Sequence, residues 1–459
     1  MSQPQPPSPK PADYPAYALY RVFEFGLRFL PMEMVWILGY GLGIFGWAAM
    51  NRRRRAVIRN LRIAYGKELS REQIGRLALR TFCHAGANLM CSFRSTTMSQ
   101  KELRDRVRVN HVERANSVRD NRNGGILLLA HMGNWEVLAQ LPVILFDPPP
   151  FGTLYRPLDN PLIDRLVRKR RQQQGVKTYS RRDGFFKPIS HLKEGGFLGT
   201  IADQHAGRHG ISLPLFGKLT SMTNLPALLH RRSGASIIPI AMCTRSPGRW
   251  QLEVLPILDL PEAERKNTHQ ATRTTTSLYE RILKESPADV LWMHSYWRVG
   301  QRRPLNIDGV QKEGSTDEIL QPFRVIVYTA DLKPENQEIA EQLKRLKTYR
   351  PDIHITSIGL HHLFLEADHH ITIDPTDPPH LTSNAIRTYD LDCPAPIDCA
   401  LDFTDSGRGG KLFAKAGLDR IFCRSGKWMS NNTRKIHSKH GTVSISDFLT
   451  SIGLDDETD

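Results

Sequence analysis

The spacing of apolar positions changes several times along this chain. Residues 34–50 (MVWILGYGLGIFGWAAM) run for 17 positions without a charge, near the lower limit of the roughly 20 that cross a bilayer. Arg52, Arg53, Arg54 and Arg55 follow at once, as at a cytoplasmic membrane boundary, and Trp36, Tyr40 and Trp47 suit its interface. A short anchor or in-plane helix is expected there, with a buried core helix as the alternative. Residues 56–106 keep helical spacing, with charges between the apolar positions. From residue 125 the period shortens. Residues 125–130 (GILLLA), 197–202 (FLGTIA) and 236–241 (SIIPIA) read as buried strands, and 251–255 alternates. Helical patterns at 161–174 and 223–233 lie between them, which predicts an α/β sheet covered on both faces.

A charged, Gly-containing stretch at 306–317 reads as a linker, after which the alternation restarts. Strands are predicted at 324–328, 353–358, 371–374, 400–403 and 420–423, with a helix near 336–345. The predicted order is a Pro-rich disordered tail (1–14), a membrane-anchor region (15–55), a main α/β domain (56–305), a linker (306–322) and a smaller Rossmann-like α/β domain (323–459). No internal repeat of fixed period is present.

A length of 459 residues suits two domains. The net charge of +16 is unevenly placed: residues 321–459 hold 16 Lys+Arg against 20 Asp+Glu, so residues 1–320 carry about +20. A basic surface of that kind fits nucleic acid, an anionic membrane or an acidic carrier protein. No zinc spacing, helix-turn-helix pattern or aromatic–basic interleaving supports the first of these, so no nucleic-acid partner is expected. The six cysteines show no paired spacing and read as reduced, cytosol-facing thiols. The N-terminal stretch does not read as a cleavable signal peptide.

The candidate chemistry sits at the end of the first apolar strand, in Leu129-Ala-His-Met-Gly-Asn-Trp-Glu136. The carboxyl ends of strands are where α/β sheets gather their sites. His131 and Glu136 are five residues apart and would point different ways on a straight helix. They meet only if a strand-to-helix turn falls between them, and Gly133 and Asn134 supply turn chemistry. A carboxylate that fixes the imidazole tautomer leaves the other ring nitrogen to take a proton from a hydroxyl.

This block resembles the HxxxxD/E motif of the lysophospholipid acyltransferase superfamily, and more closely that of the bacterial lipid A biosynthesis acyltransferases, the lauroyl and myristoyl transferase branch. Further blocks are similar, in order: Asn51-Arg-Arg-Arg-Arg-Ala-Val-Ile-Arg-Asn-Leu61, Tyr155-Arg-Pro-Leu-Asp-Asn-Pro161 with Arg170 and Gly175, Ile201-Ala-Asp-Gln204 with Pro214-Leu-Phe-Gly217, the segment 225–239, and Trp292-Met-His-Ser-Tyr-Trp-Arg298. Together they cover about residues 20–305. The resemblance implies that His131 is the general base and Glu136 its orienting partner. It implies an acyl donor in thioester form, from acyl carrier protein or coenzyme A, with no metal, no further cofactor and no covalent enzyme intermediate. Arg156 aligns with the family's basic residue near the acceptor phosphate or the oxyanion, with a surface ion pair as its alternative. Asp203 and Gln204 are candidate substrate-binding residues or strand-end caps. Asn134 joins the substrate-binding set, although shaping the turn is its first expected role. Ser295-Tyr296 replaces a basic residue expected in the closing signature, which bears on the acceptor. The implied activity is transfer of a fatty acyl chain to a hydroxyl of a membrane glycolipid, such as a lipid A precursor, at the cytoplasmic face of the inner membrane. A catalytically inactive membrane-docked scaffold is the competing reading.

The C-terminal part resembles, more faintly, the first Rossmann-like half of heptosyltransferase-type glycosyltransferases, through residues 397–417 and 420–423. A nucleotide-sugar half would have to begin where the sequence stops, so an accessory or acceptor-binding domain is expected. His361, His362, Glu366, Asp368, His369 and His370 tempt a metal reading, but neighbouring histidines point apart and a solvated helix end is expected instead. Gly407-Arg-Gly-Gly410 lacks the Lys-Ser/Thr pair of a phosphate loop.

Overall fold

The computed structural model describes residues 8–120, 124–144, 148–155, 157–173, 175–180, 184–297, 321–330, 337–350, 352–362, 366–404, 406–418, 420–423 and 433–435. The protein is mixed α/β and divides into two compact units, each assembled from three chain segments. The first comprises Met1–Val57, Gly75–Gln204 and Thr223–His294; the second comprises Ile58–Ile74, His205–Met222 and Ser295–Asp459.

Helices α1 (Asp13–Arg28), α2 (Met32–Ala49), α3 (Asn51–Tyr65) and α4 (Arg71–Ser95) come first. The uncharged stretch at 34–50 lies almost wholly in α2, the one helix among the described residues long and apolar enough to cross a membrane. Glycines let α2 lie close against α4: a Cβ added to Gly39 would come within 2.6 Å of the Ala87 Cα. The α1 helix begins within the expected tail and buries Glu24, which accepts hydrogen bonds from both terminal nitrogens of Arg170 and from Thr96 Oγ1 at 3.0 Å.

The strands of the first unit are β1 (Val107–Asn110), β2 (Gly125–Leu129), β3 (Phe151–Tyr155), β4 (Val176–Ser180) and β5 (Phe197–Ile201), with β8 (Ser236–Ser246) and β9 (Arg249–Val254); the intervening hairpin β6 (Ile211–Leu215) and β7 (Lys218–Met222) belongs to the second unit. They form one sheet in the order β1-β9-β8-β2-β5-β3-β4, parallel except where β8 meets β9. All five residues of β2 are buried, as the unbroken run Gly-Ile-Leu-Leu-Leu requires of a central strand covered on both faces. The alternation expected at 251–255 appears in β9, whose residues alternate out of and into the core. The helical patterns at 161–174 and 223–233 become the helices Pro161–Gln173 and Leu225–Ser233.

The second unit contains β10 (Phe323–Tyr328), β11 (Ile353–Gly359), β12 (His369–Thr372), β13 (Cys399–Asp402), β14 (Ile421–Cys423) and β15 (Thr433–Lys435). They pair in parallel in the order β12-β11-β10-β13-β14-β15, which is the 3-2-1-4-5-6 order of doubly wound folds. Successive residues of β10 feed opposite faces, as strand period demands. Val325 and Val327 pack with Leu343 and Leu346 of the Gln337–Tyr349 helix, whereas Ile326 and Tyr328 pack with Leu412 and Phe413 of the Arg408–Ala416 helix.

One carboxylate ties this unit's separate segments together. Asp398 accepts from Lys218 Nζ at 2.7 Å, from Arg59 Nη2 at 2.5 Å and from the Arg324 backbone N–H at 2.9 Å. Burial works against its charge, but Lys218 and Arg59 hold the carboxyl below the ordinary carboxylate range. Gln321 donates to the carbonyls of Ile63 and Phe216, at 2.9 and 2.8 Å. The linker expected at 306–322 lies mostly outside the described residues.

The histidine-rich segment differs from expectation in its secondary structure. His369 and His370 sit in strand β12, not at a helix end, because this stretch pairs with β11. Among the described residues no group of His, Cys, Asp and Glu is placed to hold a metal ion.

Candidate active site

The site grows from the register of β2 and β5. These neighbouring parallel strands set Leu129 beside Ile201. Two residues further on, His131 and Asp203 leave the same sheet edge together. Asp203 Oδ1 lies 2.6 Å from His131 Nδ1, and Asp203 Oδ2 accepts the His131 backbone N–H at 3.1 Å. The Asp203 side chain is 1% exposed against 21% for His131. Burial raises the Asp203 carboxyl, but the imidazole and its hydrogen bonds more than offset this, so the carboxyl sits below its ordinary range. An ionised carboxylate can only accept. The Nδ1 therefore carries the ring proton, and Nε2 is left as the ring's acceptor.

The expected turn is present. Gly133 has φ +56°, and a Cβ there would come within 2.5 Å of the Met242 carbonyl oxygen, so glycine is required twice over. A 3-10 helix, Trp135–Gln140, follows. It carries Glu136 to Arg171, with Oε2 and Nη2 3.0 Å apart. The buried carboxylate on His131 is thus that of Asp203, while Glu136 forms a half-exposed ion pair. The Asn134 side chain is buried at the turn with neither polar atom hydrogen-bonded among the described residues, and the Asn134 backbone carbonyl accepts the Val137 N–H at 3.0 Å. Gln204 reaches His294, Nε2 to Nδ1 2.5 Å, and the His294 ring stacks on His131 with centroids 5.0 Å apart. Arg156 and Arg298 lie outside the described residues.

His131, Glu136, Gln204 and Arg171 border a cavity of about 560 Å³, within the usual range of about 300–1,000 Å³ for ligand sites. Leu127, Leu129, Phe151, Leu154, Val167 and Val176 give it apolar lining. His131, Glu136, Gln204, Arg168, Arg170 and Arg171 add the polar groups. The lining thus offers both apolar surface for hydrocarbon and basic and polar groups for anions and hydroxyls. Sequence pattern alone assigns no role to Arg171 or His294. The first sits in a run of basic residues on one helix, and the second was visible only as part of the closing signature.

Residues 7–299 match the model of the family described as bacterial lipid A biosynthesis acyltransferase. The chain is 27% identical over 268 residues to the lipid A biosynthesis lauroyltransferase of Escherichia coli, covering 58% of this chain and 85% of that protein. It is 25% identical over 268 residues to the phosphatidylinositol mannoside acyltransferase of Mycolicibacterium smegmatis, covering 56% of this chain and 84% of that protein. Strand ends, turn and basic helix all lie inside the matched stretch, and the chain belongs to the bacterial lipid A biosynthesis acyltransferase family, as an O-acyltransferase.

Proposed function

We propose that this protein moves a fatty acyl chain from the thioester of acyl carrier protein, or of coenzyme A, to a hydroxyl of a membrane glycolipid such as a lipid A precursor. The observation that carries the reading is the His131–Asp203 pair beside an apolar cavity. His131 Nε2 takes the proton of the acceptor hydroxyl as its oxygen attacks the thioester carbonyl carbon. The tetrahedral intermediate collapses with loss of the C–S bond, and the departing sulfur takes the proton back from the imidazole. The thioester is already activated, so no acyl-enzyme is needed. Asp203 fixes the tautomer and balances the transient imidazolium. Arg168 and Arg171 suit an anionic headgroup, and the apolar wall suits an acyl chain.

Membrane association is part of the same reading. Helix α1 exposes Leu19, Val22 and Phe25, Phe29 is exposed just after it, and α2 exposes Ile37, Leu38, Leu42 and Phe45. Arg52 and Arg53 follow on the surface. Exposed apolar helices beside arginines fit a bilayer with anionic headgroups, which supports a site at the cytoplasmic face of the inner membrane. The test is acyl transfer from acyl carrier protein to a lipid A precursor in mixed micelles, followed by mass spectrometry. Wild-type protein should add one acyl chain, and His131→Ala should lose the activity. A mutant rate equal to wild type would remove His131 from the mechanism.

A further inference from the structure

The peptide groups of the His131 turn are held by a second buried carboxylate-bearing segment. The His131 carbonyl accepts the Leu291 N–H at 2.9 Å, and the Gly133 N–H donates to the Asp289 carbonyl at 2.9 Å. Met132 and Val290 lie between these bonds in an antiparallel bridge. Residues 131–133 and 289–291 therefore form a miniature two-stranded ladder. The His131 peptide is gripped on both sides, its N–H by Asp203 and its carbonyl by Leu291.

The Asp289 side chain anchors the far strand of that ladder. It is fully buried and gathers five hydrogen bonds. Oδ1 meets His84 Nδ1 at 2.9 Å, Asn88 Nδ2 at 3.2 Å and Thr244 Oγ1 at 2.6 Å. Oδ2 meets the Thr244 N–H at 2.6 Å and Ser286 Oγ at 2.7 Å. Asn88 is itself fixed by Trp250, whose Nε1 donates to Asn88 Oδ1 at 2.8 Å. The donors come from α4, from β8 and from the segment's own start, so the 289–291 strand has little freedom to shift. Burial pushes the Asp289 carboxyl up, but His84 and Thr244 hold it below its ordinary range.

We infer that Asp289 is a positioning residue for acyl transfer: its carboxylate fixes the 289–291 strand, and that strand fixes the backbone from which His131 projects. Asp289 acts without touching the reacting atoms. A shift of about 1 Å in a base is enough to cost on the order of 100-fold in rate. The inference rests on His131 as the base, and the experiment separates the two. In the micelle assay, Asp289→Asn should lower kcat by at least about ten-fold, with KM for the acyl thioester within about two-fold of wild type. The hydrogen-bonded proton between His131 and Asp203, read by NMR at low field, should shift or broaden. Thr244→Val removes one donor while keeping the carboxylate, and should lower kcat by a smaller factor, about three-fold, with an unchanged melting temperature. Thr244→Ser should restore the wild-type rate. Wild-type kcat and an unmoved proton resonance in folded Asp289→Asn would overturn the inference. If Asp289→Asn does not fold, the same result in Thr244→Val would overturn it. His131→Ala at full rate would instead overturn the assignment of the base, before any question of positioning arises.

Discussion

Asp203 and Asp398 are both buried carboxylates at 1% side-chain exposure, one in each compact unit. Their partners set them apart. Asp398 faces Lys218 at 3% and Arg59 at 12% exposure, and a backbone N–H; burial pushes the Lys218 ammonium below its ordinary lysine range, and Asp398 opposes that shift. Asp203 faces an imidazole, the side chain whose charge changes near neutral pH, and that imidazole borders a cavity. Burial alone therefore does not mark a functional carboxylate. A titratable partner with access to open space marks the candidate site, while saturation by basic side chains marks the scaffold.

The sharpest way to break this contrast is to neutralise each carboxylate in turn. Asp203→Asn should lower kcat by about 10²–10⁴-fold, the range of general-base catalysis, in micelle assays, with a much smaller change in urea midpoint. Asp398→Ala should do the reverse in kind. It leaves Lys218 buried without its counter-ion, which costs about 3–5 kcal/mol of stability, read from urea unfolding. Equal stability losses in the two variants would dissolve the distinction.

Acid sharpens it further. Both carboxyls sit below their ordinary range in the folded protein. Each therefore contributes stability that is complete above the unfolded-state value of about 3.9 and is lost as pH falls through the lower folded-state value. Circular dichroism followed downward from pH 5 should show a steep acid limb in wild type, and a shallower one in Asp398→Asn. The smallest effect is expected at Glu136. Its ion pair with Arg171 is partly exposed on both sides, so Glu136→Gln should change stability by less than about 1 kcal/mol in the same urea titration.

Much of the architecture was legible because period survives in sequence. The unbroken apolar runs at 125–130 and 197–202 became β2 and β5, and Gly133 announced the turn. The partner of His131 was harder to see. Proximity in sequence pointed to Glu136, five residues away, whereas Asp203 lies 72 residues on. Both residues follow an apolar strand and an alanine, so each strand end was visible. That the two strands are neighbours, in that register, is a property of the folded sheet. Asp289 was invisible for a related reason, since its donors come from residues 84, 88, 244 and 286. The second unit's sheet was legible strand by strand, but no periodicity could show that residues 58–74 and 205–222 fold with it.

That discontinuity has a consequence for the protein during its synthesis. Arg59 and Asp398 are 339 residues apart. At ribosomal rates of about 5–20 residues per second, Arg59 leaves the ribosome on the order of half a minute before its counter-ion exists. During that interval Arg59 of α3 and Lys218 of the β6–β7 hairpin lack the carboxylate they share. Completion of the second unit is therefore timed by translation, and a nascent chain held short of residue 398 should remain open to protease at residues 58–74 until the last strands emerge.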